Sequence, residues 1–195
     1  MAITFHLLTG SSVSECLDDL ASLRINIFRG YPYLYDGILD DELKYLRLYM
    51  ETADAFVISV RNADTMIGAA TGMPLKLEHE SLTYPFASTL YSVDETYYVG
   101  EVLFYQNYQN QGLGLRLLEQ VEEHVRSLGS YRYLTCASVL RPVDHPLIPE
   151  NYLPIERFLD RTRFRMLSGV TTSFDWKETG GISRSHSMQF WIKDL

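Results

Sequence analysis

Two glycines one residue apart, Gly112 and Gly114, are the positions in this sequence best suited to hold a phosphate group. They follow an apolar segment rich in Tyr, Val, Leu and Phe, and they precede a segment with helical periodicity. Glycine lets a ligand approach the backbone closely. The first turn of a helix offers free N–H groups at the positive end of its dipole. This order therefore predicts a site for a phosphate or a pyrophosphate.

Two common phosphate-binding motifs do not fit these glycines. A dinucleotide fingerprint requires a third glycine at the position of Leu117, and a Walker loop requires Gly-Lys-Ser/Thr. A pair of glycines at a helix start is also often only structural. The spacing alone leaves both readings open.

The elements that position the glycines are the clearest in the chain. Residues 97–105 predict a strand, and residues 113–128 predict an amphipathic helix that ends at Gly129. Other patterns predict strands at 3–8, 56–60, 66–71, 133–140, 170–176 and 188–192, and helices at 17–28, 40–50, 82–91 and 155–161. We therefore expect one mixed α/β domain over residues 1–195, of α+β type, with helices on both faces of a central sheet.

Composition excludes several classes of function. The net charge is −8, no run of Lys or Arg is present, and a nucleic-acid partner would require a basic surface. No signal peptide and no apolar run of roughly 20 residues is visible, which predicts a cytoplasmic protein without a membrane segment. Cys16 and Cys136 lie in different segments without a Cys/His cluster, so we expect no metal and an inert buried thiol at Cys136.

Residues 109–114, Gln-Asn-Gln-Gly-Leu-Gly, resemble the central motif of the GNAT superfamily of N-acetyltransferases, Arg/Gln-x-x-Gly-x-Gly/Ala after an apolar strand. The order of elements from about residue 56 onward is similar to that of the family, as is the strand–helix–helix start. The sequence also resembles a subgroup that shares the motifs at 31–37, 141–146 and 188–191. The resemblance implies a GNAT fold in which one strand splays from its neighbour before the cofactor helix.

The resemblance implies acetyl-CoA as the co-substrate. The backbone groups of Val102, Leu103 and Phe104 would contact the pantetheine arm. The loop and helix start would bind the pyrophosphate, through Gln109, Asn110, Gln111, Gly112, Leu113, Gly114 and Leu115. Gln109 stands where the family more often has Arg, so the neutral side chain leaves more of the binding to the backbone amides.

Glu101 is the sharpest catalytic candidate, because the resemblance places it near the thioester and a carboxylate can accept a proton from an attacking amine. The alternative is a structural carboxylate that pairs with an Arg. The family's usual general acid is a Tyr, and its position here is Leu159. Tyr152, Tyr108 or water could replace it, or CoA could leave as the thiolate.

The resemblance thus implies transfer of an acetyl group to a primary amine by direct attack, with a small molecule or a peptide as acceptor. A non-catalytic module that binds acyl-CoA is the alternative, because of Leu159. The aromatic loop at 31–35, with Asp36, Asp40, Asp41 and Glu42 after it, forms either an acceptor wall for a cationic amine or a packed cluster beside a solvated acidic helix start. His145 is either a proton shuttle or a turn residue. An apolar edge around Phe190 and Trp191 suggests a possible homodimer.

Overall fold

The computed structural model describes residues 2–195, and its elements follow the predicted order. The strands are β1 (Ile3–Thr9), β2 (Phe56–Asn62), β3 (Thr65–Pro74), β4 (Thr96–Phe104), β5 (Tyr133–Val139), β6 (Arg165–Lys177) and β7 (Ser183–Asp194). The α-helices are α1 (Leu17–Phe28), α2 (Leu39–Leu46), α3 (Leu48–Glu51), α4 (Glu80–Thr83), α5 (Leu113–Ser127) and α6 (Ile155–Arg161).

The strands form one seven-stranded sheet in the order β1-β2-β3-β4-β5-β7-β6. All neighbours are antiparallel except β4 and β5, which run parallel. A mixed sheet needs a crossover between its parallel strands, and α5 supplies it. The predicted fold class is confirmed.

Helices cover both faces of the sheet. Helices α1 to α3 pack with alternate residues of β2 and β3 in one apolar cluster, and α5 and α6 pack on the opposite face in a second cluster. Strands β2 and β3 are therefore buried on both faces, which explains their nearly continuous apolar sequence. Within residues 2–195, no helix combines the length and the apolar character that a membrane crossing requires.

Two predicted helices differ from those observed. The predicted helix at 40–50 is divided at Arg47 into α2 and α3. The predicted helix at 82–91 is reduced to the single turn α4 and a 3₁₀ turn, Tyr84–Ser88. Pro85 lies at the start of that 3₁₀ turn, where it has no amide hydrogen to continue an α-helix.

The expected apolar edge at Phe190 and Trp191 is wrong. Strand β7 lies between β5 and β6 rather than at the border of the sheet. Phe190 is fully buried and Trp191 is 6% exposed, and the indole of Trp191 donates to the Ser138 hydroxyl. The apolar residues of this segment therefore belong to an interior strand and not to an exposed edge.

Candidate active site

Strands β4 and β5 separate and leave a gap in the middle of the sheet. They pair only through residues 96–98 of β4 and 133–135 of β5. Beyond that point β4 continues to Phe104 along β3 alone, while β5 continues along β7. One edge of β4 therefore presents unpaired backbone groups to the gap.

A β-bulge lies where the gap begins. The register of β3 and β4 passes from Gly72 opposite Val99 to Thr71 opposite Glu101, so Gly100 has no partner. A Cβ at Gly100 would lie 2.9 Å from the hydroxyls of both Thr71 and Tyr49, which explains why this position is a glycine. The extra residue also lets Glu101 face the side of the sheet covered by α1.

The direction of the β4 backbone can be read from one hydrogen bond. The Tyr105 N–H donates to the Ile67 carbonyl of β3 at 3.1 Å, and backbone groups in an antiparallel ladder alternate in direction. Leu103 therefore turns its backbone groups toward β3, whereas Val102 and Phe104 turn theirs toward the gap. The side-chain amide of Gln109 donates to the Phe104 carbonyl at 3.0 Å, which ties the following loop to the strand.

The glycine pair forms an uncapped helix start at the end of the gap. Gly112 is the N-cap of α5 with φ +78°, and Asn110 is left-handed with φ +59°. No side chain caps the helix, and the Arg116 N–H is the first to bond within it, to the Gly112 carbonyl. The amides of 113–115 are therefore free for an anion.

The two glycines have different structural roles. A Cβ at Gly112 would meet no atom within 4 Å, so its left-handed backbone is the constraint. A Cβ at Gly114 would lie 3.4 Å from the Phe158 ring of α6. Gly114 thus allows α5 and α6 to pack closely beside the gap.

Glu101 belongs to a buried cluster of charges. Its side chain is 6% exposed and pairs with Arg24 of α1, which also pairs with Glu42 of α2. Burial lowers the pKa of the Arg24 guanidinium. The nearby Tyr45 and Glu42 raise this pKa by more, so the net shift is upward. Within the described chain the second oxygen of Glu101, Oε2, is buried and accepts no hydrogen bond. Glu101 is thus paired with an Arg, as the structural alternative for this carboxylate expected. Its second oxygen still has no partner and could accept a proton.

Sequence analysis missed Arg24, although a signal was present, and it named Glu42 only among the acidic residues that follow the aromatic loop. Arg24 lies four residues from both Leu20 and Phe28, on the buried stripe of α1. Glu42 lies four residues before the buried Leu46 of α2. A charged residue on an apolar helix face requires a partner, so Arg24 could have been marked as the partner of Glu42 in a polar site.

Glu78 is a second carboxylate that sequence analysis did not identify. It follows β3, its Oε1 is buried without a hydrogen bond in the part of the chain described, and burial raises its pKa to about 7. Burial also raises the pKa values of Tyr45, Tyr49 and Tyr98, and the nearby charge of Glu78 raises them further.

The hydroxyls of Tyr45, Tyr49 and Thr71 form a hydrogen-bonded chain at the bulge. The Tyr45 and Tyr49 hydroxyls are hydrogen-bonded at 3.0 Å, and the Thr71 hydroxyl donates to Tyr49 at 3.2 Å. Tyr49 is also the residue whose hydroxyl leaves no space for a side chain at Gly100. A chain of three hydroxyl groups therefore lines the bulge on the α1 face.

The other candidates lie in varied settings. Leu159 is buried in the core against α5, and Tyr108 accepts a hydrogen bond from Asn62, at the end of β2. Burial raises the pKa of the Cys136 thiol to about 12, which keeps it protonated near neutrality. The Nδ1 atom of His145 accepts the Leu147 N–H at 3.2 Å, as a turn residue would.

Across residues 2–195, no group of three or more His, Cys, Asp or Glu side chains is arranged to hold a metal ion.

The aromatic loop at 31–35 lies over the α1 face, where its rings pack with several parts of the fold. Tyr31 contacts Tyr152 with ring centroids 4.7 Å apart. Tyr33 lies 4.6 Å from Phe28 and 6.0 Å from Trp176. The rings thus form a packed cluster on the α1 face.

Comparisons with known proteins agree with this geometry. The model of the acetyltransferase (GNAT) family matches residues 22–144, while no curated protein matches the sequence. An N-acetyltransferase from Staphylococcus aureus Mu50 is 11% identical, with a TM-score of 0.63 over 100% of this chain and 99% of that one. NAA60 from Arabidopsis thaliana in complex with a bisubstrate analogue is 13% identical, with a TM-score of 0.63 over 100% and 99%. The yncA protein from Salmonella typhimurium, solved with acetyl-CoA, is 11% identical, with a TM-score of 0.62 over 100% and 95%.

These structures share the fold at low identity, whereas the family match extends over more than half of the chain. The resemblance read from the glycine motif is confirmed. The chain belongs to the acetyltransferase (GNAT) family and is an acyltransferase.

Proposed function

We propose that the protein transfers an acetyl group from acetyl-CoA to a primary amine by direct attack. The gap between β4 and β5 is the observation that carries this proposal. It joins an unpaired strand edge, an uncapped helix start and a buried carboxylate with a free oxygen. The strand edge would bind the amide-bearing arm of the co-substrate, and the helix start would bind its pyrophosphate. The carboxylate would lie at its reacting end.

The co-substrate would be held mainly by backbone groups. Val102 and Phe104 would bond the pantetheine amides, since their N–H groups face the gap, while Leu103 contributes packing alone. The backbone amides of 110–115, of which 113–115 are free at the helix start, would bind the pyrophosphate, favoured by the helix dipole. Gln109 would support this loop through its hydrogen bond to the Phe104 carbonyl.

Glu101 would accept the proton of the amine at its unpartnered Oε2, directly or through water. Arg24 holds the other oxygen and so orients the carboxylate. One of the N–H groups of Val102 and Phe104 would stabilise the developing oxyanion as the C–N bond forms and the C–S bond breaks. CoA can leave as the thiolate because a free thiol has a pKa of about 8.5, so Leu159 does not prevent turnover.

Calorimetry of acetyl-CoA binding tests the location of the site. Gly112→Glu places a carboxylate at the free amides, and we expect it to weaken binding at least about 100-fold by repelling the pyrophosphate. Gly129→Glu is the matched control, because Gly129 ends the same helix with φ +72° and equally open surroundings. Both variants carry the same backbone strain, and only the first should lose affinity. Equal affinities in the two variants would place the co-substrate elsewhere.

A further inference from the structure

The guanidinium of Arg24 is shared by two buried carboxylates. Its Nε donates to the Oε2 atom of Glu42, and its Nη1 pairs with the Oε1 atom of Glu101. The side chains of Arg24, Glu42 and Glu101 are only 11%, 3% and 6% exposed. Helix α1, helix α2 and strand β4 thus each contribute one charged group to a cluster that is shielded from water.

Two aromatic rings also contact the guanidinium. The Cζ atom of Arg24 lies 4.7 Å from the ring centroid of Tyr45 and 5.2 Å from that of Phe28, at distances typical of cation–π contacts. A guanidinium is planar and rigid, so the two carboxylates bind different nitrogens of one fixed group. A change of charge or position at Glu42 is therefore transmitted to Glu101 through Arg24.

The cluster contains one more carboxylate than Arg24 can neutralise. Among residues 2–195, Glu42 and Glu101 form ion pairs with Arg24 alone, and the Oε2 atom of Glu101 is buried without a hydrogen bond. A neighbouring cation makes a carboxylate a weaker base, whereas a neighbouring anion makes it a stronger one. Glu42 therefore offsets the effect that Arg24 would have on Glu101 by itself.

The other titratable groups around the cluster leave this balance in place near neutral pH. Four tyrosines adjoin it, and burial raises the pKa of each above the usual value: Tyr33, Tyr35, Tyr45 and Tyr49. Their hydroxyls therefore stay protonated. Within the described chain, Glu78 forms no ion pair or hydrogen bond with Arg24, Glu42 or Glu101. The charge of Glu101 thus depends first on Arg24 and Glu42.

We propose that Glu42 is a positioning residue for acetyl transfer, which acts through Arg24 to hold Glu101 in place and to keep its carboxylate basic enough to accept a proton from the amine. This role rests on the proposed function, in which Glu101 is the proton acceptor. Glu42→Gln is the informative variant, because its amide oxygen can still accept the Arg24 Nε–H while the charge is removed. Substitution of Arg24 would leave two buried carboxylates unpaired and would destabilise the fold.

Carboxyl NMR titration of protein labelled with ¹³C at the Glu side-chain carboxyl tests the coupling without any acceptor. The Glu101 signal is identified by its absence in Glu101→Gln. The pKa of Glu101 should fall by about one unit or more in Glu42→Gln. It should change by less than about 0.3 unit in the control Asp19→Asn, because Asp19 of α1 pairs with Arg61 and is half exposed. An unchanged or raised pKa in Glu42→Gln would overturn the proposal. A Glu101 that stays ionised until the parent unfolds in acid would also overturn it, because Arg24 alone would then fix its charge.

The pH dependence of kcat, with butylamine as the saturating acceptor, tests the role in transfer. Glu42→Gln should move the acidic limb of the profile to lower pH and lower its plateau about three- to tenfold, since a weaker base accepts the proton less readily. A lower plateau with an unmoved limb would show a purely structural role and refute the proposal. Acetyl-CoA calorimetry separates the two hypotheses. Absence of binding by the parent would refute the proposed function, whereas binding and transfer with an unmoved limb would refute the role of Glu42 alone.

Discussion

Glu78→Gln should stabilise the folded protein at pH 8 and leave its stability at pH 4 nearly unchanged. Burial raises the pKa of Glu78 from 4.5 to about 7 in the folded state, whereas an unfolded chain exposes the carboxyl to water. The native protein therefore binds a proton between these two pKa values that the unfolded chain has released. Its free energy of unfolding must fall as the pH rises through this interval.

The size of the effect follows from the pKa difference. Each pKa unit corresponds to about 1.4 kcal/mol, so the shift gives an upper limit of about 3 kcal/mol. The side chain keeps some contact with water, which lowers the expected value toward about 2 kcal/mol. Below pH 4.5 both states are protonated, and above pH 7 both are ionised, so the difference is constant outside the interval. A glutamine cannot ionise, and the variant lacks this dependence.

Urea denaturation at several pH values between 4 and 8 measures the effect, with the parent, Glu78→Gln and Glu80→Gln compared under the same conditions. The difference between Glu78→Gln and the parent should grow from near zero to about 2–3 kcal/mol as the pH rises. Glu80 is exposed, so its variant should follow the parent throughout. A difference that stays constant from pH 4 to 8 would show that Glu78 titrates normally and would refute the reasoning from burial.

Two further predictions concern the chemistry at the gap. Glu101→Gln should lower kcat by about 10²–10⁴-fold with little change in acetyl-CoA affinity, because it removes the proton acceptor and leaves the strand edge intact. An unchanged kcat, measured as CoA release with a saturating amine, would assign Glu101 to structure alone. Cys136→Ser should retain transfer activity, since the thiol is protonated and the mechanism is direct. Mass spectrometry of the parent during turnover should find no acetyl group on Cys136, and an acetylated Cys136 would contradict direct attack.

The elements around the glycine pair were predictable because their signals are local. Strand β4 and helix α5 match the predicted ranges within one residue, since apolar periodicity and a helix-ending glycine act over a few neighbouring positions. The helix start at Leu113 also agrees with the prediction, and the structure adds that Gly112 before it is left-handed. The family followed from the same segment, and the family match confirms it.

The sequence by itself thus determined the order of the elements, the start of helix α5 and the family, all of which depend on short-range patterns. Only the tertiary structure decided that Arg24 meets both Glu42 and Glu101, that the Oε1 atom of Glu78 is buried, and that residues 34–36 pair with residues 177–179. These contacts join positions far apart in the chain. Burial and charge pairing are properties of the folded surroundings, and no local pattern records which distant residues supply them.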